Sequence, residues 1–161
     1  MELRDTLMEE DTQHGRFLTF ALGSEVFGLE IRHVTQIVGV LPITPIPETP
    51  EFVKGVINLR GKILPVIDMR LKFKKTPIPY DDRTCIIIVD IKDISVGLIV
   101  DNVAEVLTIA DEEIAPPPQY SSGSQNRYIK GVGKVGSDVK LLLDCERLFN
   151  EGEFAAVEGI A

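Results

Sequence analysis

A chain of 161 residues with 17 Lys and Arg against 25 Asp and Glu carries a formal charge of −8, so a nucleic-acid backbone or an anionic membrane repels it on average. No apolar run approaches the roughly 18 residues of a membrane span. The start, Met1-Glu2-Leu3-Arg4-Asp5, lacks the basic and apolar regions of a signal peptide, which makes a soluble, cytosolic protein the expectation. Cys85 and Cys145 have no Cys or His neighbour at metal-ligand spacing, so both read as small core residues, and neither a disulfide nor a cofactor is expected.

In chain order, Met1 to Gly15 is polar and charged without apolar periodicity and reads as a mobile tail. Phe17 to Leu22 and Val26 to Leu29 read as a hairpin around Gly23-Ser24-Glu25. Ile31, Val34, Ile37 and Val38 fall at helical spacing and predict a short helix ending before Pro42. Four prolines between Pro42 and Pro50 make a stiff connector that admits no regular ladder. Phe52 to Asn58 and Lys62 to Ile67 read as strands around an Arg60-Gly61 turn, with one helical turn from Met69 to Phe73. A second hairpin follows, Cys85 to Ile91 with Ser95 to Val100, then a helical turn Asp101 to Val106 with Asp101 as its N-cap. Pro116 to Asn126 reads as an irregular loop, Tyr128 to Lys134 and Val139 to Leu143 as strands, and Asp144 to Asn150 as helical. Glu151 to Ala161 is expected to fray as a C-terminal tail.

The chain also repeats itself. Phe52 to Phe73 and Tyr128 to Phe149 run in register without a gap, with Lys54, Gly55, Val56, Asp68 and Phe73 recurring as Lys130, Gly131, Val132, Asp144 and Phe149. Average residue usage would give roughly one or two such identities by chance. Upstream, Phe17 to Val40 matches Ile86 to Ile109, so Gly28, Leu29, Val34 and Ile37 meet Gly97, Leu98, Val103 and Val106. About five short strands per copy favour a mainly β fold of two small barrel units, roughly 16–83 and 84–150, with strand exchange between them left open. Gly55, Gly61, Asp68, Gly131 and Asp144 read as structural turn and cap positions, the two aspartates accepting from the first free donors of the helical turns.

Catalytic constellations are absent from the sequence. The two histidines, His14 and His33, have no nucleophile at a recognisable spacing. Gly131-Val132-Gly133-Lys134 lies mid-strand, where a phosphate cradle does not. The copies disagree most tellingly at Asn58-Leu59-Arg60-Gly61, matched by Lys134-Val135-Gly136-Ser137. A tight turn explains Gly61 but requires no arginine before it, and a planar, always-charged donor fork suits a partner's polar group.

The run Phe52-Val53-Lys54-Gly55-Val56-Ile57-Asn58-Leu59-Arg60-Gly61, then Leu64-Pro65-Val66-Ile67-Asp68-Met69-Arg70, resembles the signature of the CheW coupling proteins of bacterial chemotaxis. So do Phe27-Gly28-Leu29, Val96 to Asp101, and Tyr128-Ile129-Lys130-Gly131, and the resemblance covers Arg16 to Asn150 in order. It implies two SH3-like five-stranded barrels across a hydrophobic seam, without an appended receiver domain or kinase core. It further implies a non-catalytic adaptor, largely monomeric alone and ring-forming in membrane receptor arrays, that joins the hairpin tip of chemoreceptors to the regulatory domain of the chemotaxis histidine kinase. The family's receptor contacts fall here at Val34, Gln36, Ile37, Arg60 and Val106, and kinase contacts at Val135 and Val139. Family members commonly carry an acidic residue at the position of Gln36, so the arginine at position 60 has an amide where they offer a carboxylate.

Two rival classes are an enzyme with an inter-barrel site and a nucleic-acid-binding small barrel. The first needs convergent polar groups in a groove that the sequence fills mostly with valine and isoleucine. The second needs a basic face with interleaved aromatics, in an acidic chain that contains no Trp.

Overall fold

The computed structural model describes residues 14–117 and 127–160, so most of the expected N-terminal tail and of the loop after Pro116 lies outside the described residues. Eleven strands follow in chain order: β1 Arg16–Leu22, β2 Glu25–Glu30, β3 Val34–Gly39, β4 Val53–Leu59, β5 Lys62–Asp68, β6 Cys85–Ile91, β7 Ile94–Val100, β8 Asn102–Thr108, β9 Ile114–Ala115, β10 Ile129–Val135 and β11 Asp138–Leu143. They form two sheets, ordered β8-β1-β2-β11-β10-β9 and β3-β6-β7-β5-β4. Under the sequence repeat, β8, β1, β2, β11 and β10 map one by one onto β3, β6, β7, β5 and β4. The sheets therefore have the same plan, yet neither is built from one half of the chain. The β1–β2 hairpin of the first copy joins the second copy's strands through a parallel β2–β11 pairing, and the β6–β7 hairpin crosses the other way through β5–β7.

Burial follows from this exchange. Each sheet closes over a small core of its own: Phe17, Ile109 and Leu142 in the first, and Ile57, Leu64, Val66, Ile86, Ile88 and Ile99 in the second. The opposite faces of the same strands meet in a larger shared core, where Leu18, Phe20, Leu22, Phe27 and Leu29 lie with Ile67, Ile87, Val89, Val96 and Leu98. Strands apolar on both faces explain unbroken runs such as Ile86-Ile87-Ile88-Val89.

Two predicted helices are strands. Only Ile31–His33 forms a 3-10 turn, and β3 begins at Val34; likewise β8 replaces the expected turn at Asp101 to Val106. The cause is a bulge in each strand. β3 skips Thr35, so that Val34 and Ile37 pair with Val89 and Ile87, and β8 skips Ala104 and Glu105, so that Val103 and Val106 pair with Phe20 and Leu18. An extra residue puts positions three apart on one face, which reproduces a helical spacing in an extended chain.

Asp68 caps the short helix Met69–Lys72 as expected, accepting from the backbone N–H groups of Arg70 and Leu71, and Asp144 accepts from Glu146. Asp101 caps nothing. It binds Arg70 and the Gly23 backbone N–H instead. Gly55 and Gly131 occupy no turn; both lie inside strands beside a crossing segment. A Cβ on Gly55 would sit 2.0 Å from the Thr44 carbonyl oxygen, and one on Gly131 would sit 2.7 Å from the Ile114 side chain. Cys145 is buried, its thiol pushed up to about 12 by desolvation, whereas Cys85 is only half-buried; both are free.

Residues expected to fray form a helix, Glu151–Glu158. Its start is a capping box in which the Asn150 side chain and Glu153 satisfy each other's backbone N–H groups. Val157 is fully buried in the shared core, with Phe154 and Ile160 packed beside it. Glu153 also accepts from Arg127, and it lies 3.4 Å from the buried Lys72 ammonium. Lys72 in turn donates to the Tyr128 hydroxyl and stands over the rings of Tyr128, Phe52 and Phe149. Burial works against the Glu153 carboxylate, but the Asn150 N–H and the two cations outweigh it and hold its pKa below the usual range.

Candidate functional site

Every strand that is buried on both faces is unavailable to a partner, so the exposed apolar side chains mark the surfaces that are. Among the described residues six large ones are exposed, and four of them come in repeat pairs, Val40 and Ile78 being the exceptions. Ile37 and Val106 are mates on the edge strands β3 and β8 and are 41% and 42% exposed; Ile63 and Val139 are mates just past the β4–β5 and β10–β11 turns and are 50% and 55% exposed. An isolated exposed valine needs no explanation, but symmetry-related pairs at strand edges form organised surfaces.

The bulges turn Ile37 and Val106 toward the seam. Their cross-strand neighbours Ile87 and Leu18 are members of the shared core, so the two side chains flank the rim of that core. Val34 packs half-buried beneath. Gln36 faces the opposite side of β3, where it lines a cleft of about 740 Å3 with Arg60, Thr35, Lys62, Lys92 and Asp93. The structure thus separates the five predicted receptor residues into an apolar rim (Val34, Ile37, Val106) and a polar mouth (Gln36, Arg60), with β3 as the wall between them.

The polar mouth is built at some conformational expense. Arg60 and Gly61 both have positive φ, 54° and 86°, as a type I′ turn requires, and Asn58 Oδ1 pins the turn by accepting from the Gly61 N–H at 2.8 Å. The β6–β7 turn is another of this kind, with Lys92 and Asp93 at 48° and 71°. Their repeat mates, Gly136-Ser137 and Gly23-Ser24, put positive φ on glycine alone. Among the four two-residue hairpin turns, charged residues therefore hold left-handed backbone only at the mouth of the second sheet, where each such residue costs about 1–2 kcal/mol. Lys62 donates to Ser95 Oγ at 3.3 Å, and Ser95 donates to Asp90 at 3.0 Å, which fixes a cation beside Arg60. Among the described residues Arg60 meets no carboxylate, and the amide of Gln36 makes no hydrogen bond with it.

The second predicted surface divides as well. Val139 stands exposed, but Val135 turns inward onto Phe17, Ile109 and Leu142. Ile63 was missed; its signal was the repeat alignment, which sets it opposite Val139. A rigid frame holds these surfaces apart. Arg70 forms a two-pronged pair with Asp101 at 2.7 and 2.5 Å, and that hydrogen bonding holds the Asp101 carboxyl below the usual carboxylate range. Glu30 and Lys130 pair across β2 and β10, and burial lowers the Lys130 pKa. His33, beside Glu30, is also lowered, by burial and then by Arg32.

Residues 16–153 match the family model described as the CheW-like domain. The chain belongs to the CheW family. This CheW-family chain is 38% identical over 151 residues to the chemotaxis protein CheW of Klebsiella aerogenes, covering 94% of this chain and 91% of that protein. It is 32% identical to the chemotaxis protein CheW of Treponema pallidum, over 91% and 88% of the two chains. Its fold superposes on the crystal structure of the scaffolding protein TtCheW from Thermoanaerobacter tengcongensis with a TM-score of 0.79 at 37% identity, covering 86% of this chain and 94% of that one. CheW proteins are chemotaxis coupling proteins, adaptors rather than enzymes, and as a member this chain is one of them. Among the described residues no helix is long and apolar enough to cross a membrane.

Proposed function

We propose that this CheW-family adaptor uses two separate surfaces, one for a helical chemoreceptor tip and one for the regulatory domain of the histidine kinase. The receptor's helix lays its apolar face on Val34, Ile37 and Val106, with Arg60 and Gln36 reaching its polar side from the mouth of the second sheet. The exposed Ile37 and Val106 pair on the rim of the shared core is the observation that supports this reading most. The kinase domain meets the turn end of the first sheet through Val139, while Val135 supports that edge from within; Ile63, the repeat mate of Val139, stands at the corresponding turn end of the second sheet. The protein acts in the cytoplasm, monomeric by itself, and joins rings when receptors and kinase are present. Coupling then requires that the receptor's two states engage adaptor or kinase differently, since a ligand with equal affinity for two states shifts neither.

The test is a titration of the purified chain against two baits, an isolated receptor hairpin tip and the kinase regulatory domain. Arg60→Glu and Val106→Asp should lose the receptor tip and retain the kinase domain, and Val139→Asp should do the reverse, with all three folded by circular dichroism. Loss of both baits in any one variant would refute the separation of surfaces.

A further inference from the structure

The copies diverge after their short helices. Beyond Phe149 the second copy continues into the helix Glu151–Glu158, which sets Phe154, Val157 and Ile160 against the shared core. Beyond Phe73 the first copy continues as Lys74-Lys75-Thr76-Pro77, with no helix and no apolar side chain in that run. The residues around the two helix ends are repeat mates: Phe27, Phe73, Tyr128, Ile129 and Leu143 in one place answer to Val96, Phe149, Phe52, Val53 and Ile67 in the other. The second set is buried throughout, whereas Phe73 and Ile129 are only partly covered.

What remains open is a trough of about 230 Å3 walled by Phe27, Phe73, Tyr128, Ile129, Leu141 and Leu143. Lys74 and Lys75 stand at its edge with Glu25, above the buried Lys72, leaving a locally positive rim on a chain of net charge −8. Lys75 pairs with Glu25 and Lys72 with Glu153; Lys74 makes no ion pair among the described residues and holds left-handed backbone at φ 59°. The C-terminal helix shows which ligand fits such a place: a short segment with apolar anchors at Phe154, Val157 and Ile160 flanked by Glu151, Glu153 and Glu158.

We infer that this trough is a docking site for an acidic amphipathic helix of a partner protein, one apolar side chain seated between Phe73, Tyr128 and Leu141 and its carboxylates facing Lys74 and Lys75. The site is separate from the rim at Ile37 and Val106, and the inference does not depend on the assignment of receptor and kinase surfaces.

The probe is an end-blocked synthetic peptide of Asn150 to Ile160, titrated into the isotope-labelled full chain and followed by NMR. The expected result is saturable shifts at Phe27, Ile129 and Leu141, weakened about tenfold by Lys74→Glu in the protein or Phe154→Ala in the peptide, and unaffected by Lys62→Glu at the other mouth. No shifts at about millimolar peptide, which excludes a dissociation constant of about 1 mM or below, would overturn it. Shifts confined to Ile94, Val96 and Val157 would show exchange with the chain's own helix and overturn it equally. Concentration-dependent sedimentation of the free protein, with the trough residues perturbed by dilution, would assign the site to a second copy instead.

Discussion

Replacing Asp101 by Asn should destabilise the protein by an amount that depends on pH. Asp101 accepts two bonds from Arg70 and one from the Gly23 N–H, which ties the short helix, the β1–β2 turn and the end of β7 to a single carboxylate, and both charged side chains are 15% exposed. Removing one partner of a fully buried pair costs about 3–5 kcal/mol. With water reaching part of this one, about 2–3 kcal/mol is expected, and with a urea m value of about 2 kcal/mol/M the midpoint should fall by about 1 M. Because the Asp101 pKa is depressed in the folded state, its stabilisation is fully present above the unfolded value of about 3.9 and is lost as pH falls through the folded value. Urea unfolding of the parent and of Asp101→Asn between pH 7 and pH 2.5 should therefore show a gap that is constant near neutrality and narrows below about pH 4. A midpoint difference under about 0.2 M at pH 7, or a gap that stays constant on acidification, would refute the argument.

Arg60→Gly relieves a left-handed arginine, so thermal unfolding should show it about 1 kcal/mol more stable than the parent while its affinity for a receptor tip falls; an unchanged or lowered stability would remove strain from the account of this turn. Gly55→Ala forces a Cβ to within 2.0 Å of the Thr44 carbonyl oxygen and should cost at least about 3 kcal/mol, whereas Gly136→Ala, with open space around it, should cost only about 1 kcal/mol, as urea titrations of both variants would show.

The repeat and the strand content were readable because identical residues recur at matching places and because β-branched runs are bounded by Gly, Pro and Asp. The helical reading of Val34 and Ile37 failed for a physical reason: a bulge at Thr35 shifts an extended chain by one residue, and spacing alone does not distinguish that from a helical turn. The C-terminal helix was readable in principle, since Asn150 followed three residues later by Glu153 is a capping pattern, but the glycines at 152 and 159 weakened it. Which strands pair across the copies leaves no trace in periodicity, because a strand buried on both faces looks the same whichever sheet receives it. At the candidate site, Arg60 stood out as a difference between copies, while Lys92 and Asp93 belong to the same cleft only because two distant turns reach one mouth.

The crossed hairpins also bear on how the molecule is made and how it moves. Gly28 pairs with Leu142 and Val66 with Gly97, so a nascent chain carries β1 and β2 unpaired on one flank until β11 has emerged, and neither sheet can be completed without the other copy's strands. Once closed, the same crossing means that no hinge can open between the copies without tearing four ladders, β1–β8, β2–β11, β3–β6 and β5–β7. If the surfaces bind as proposed, a push on Ile37 or Val106 would reach Val139 by displacement of one solid piece, and an adaptor built this way would convey position rather than a change of shape.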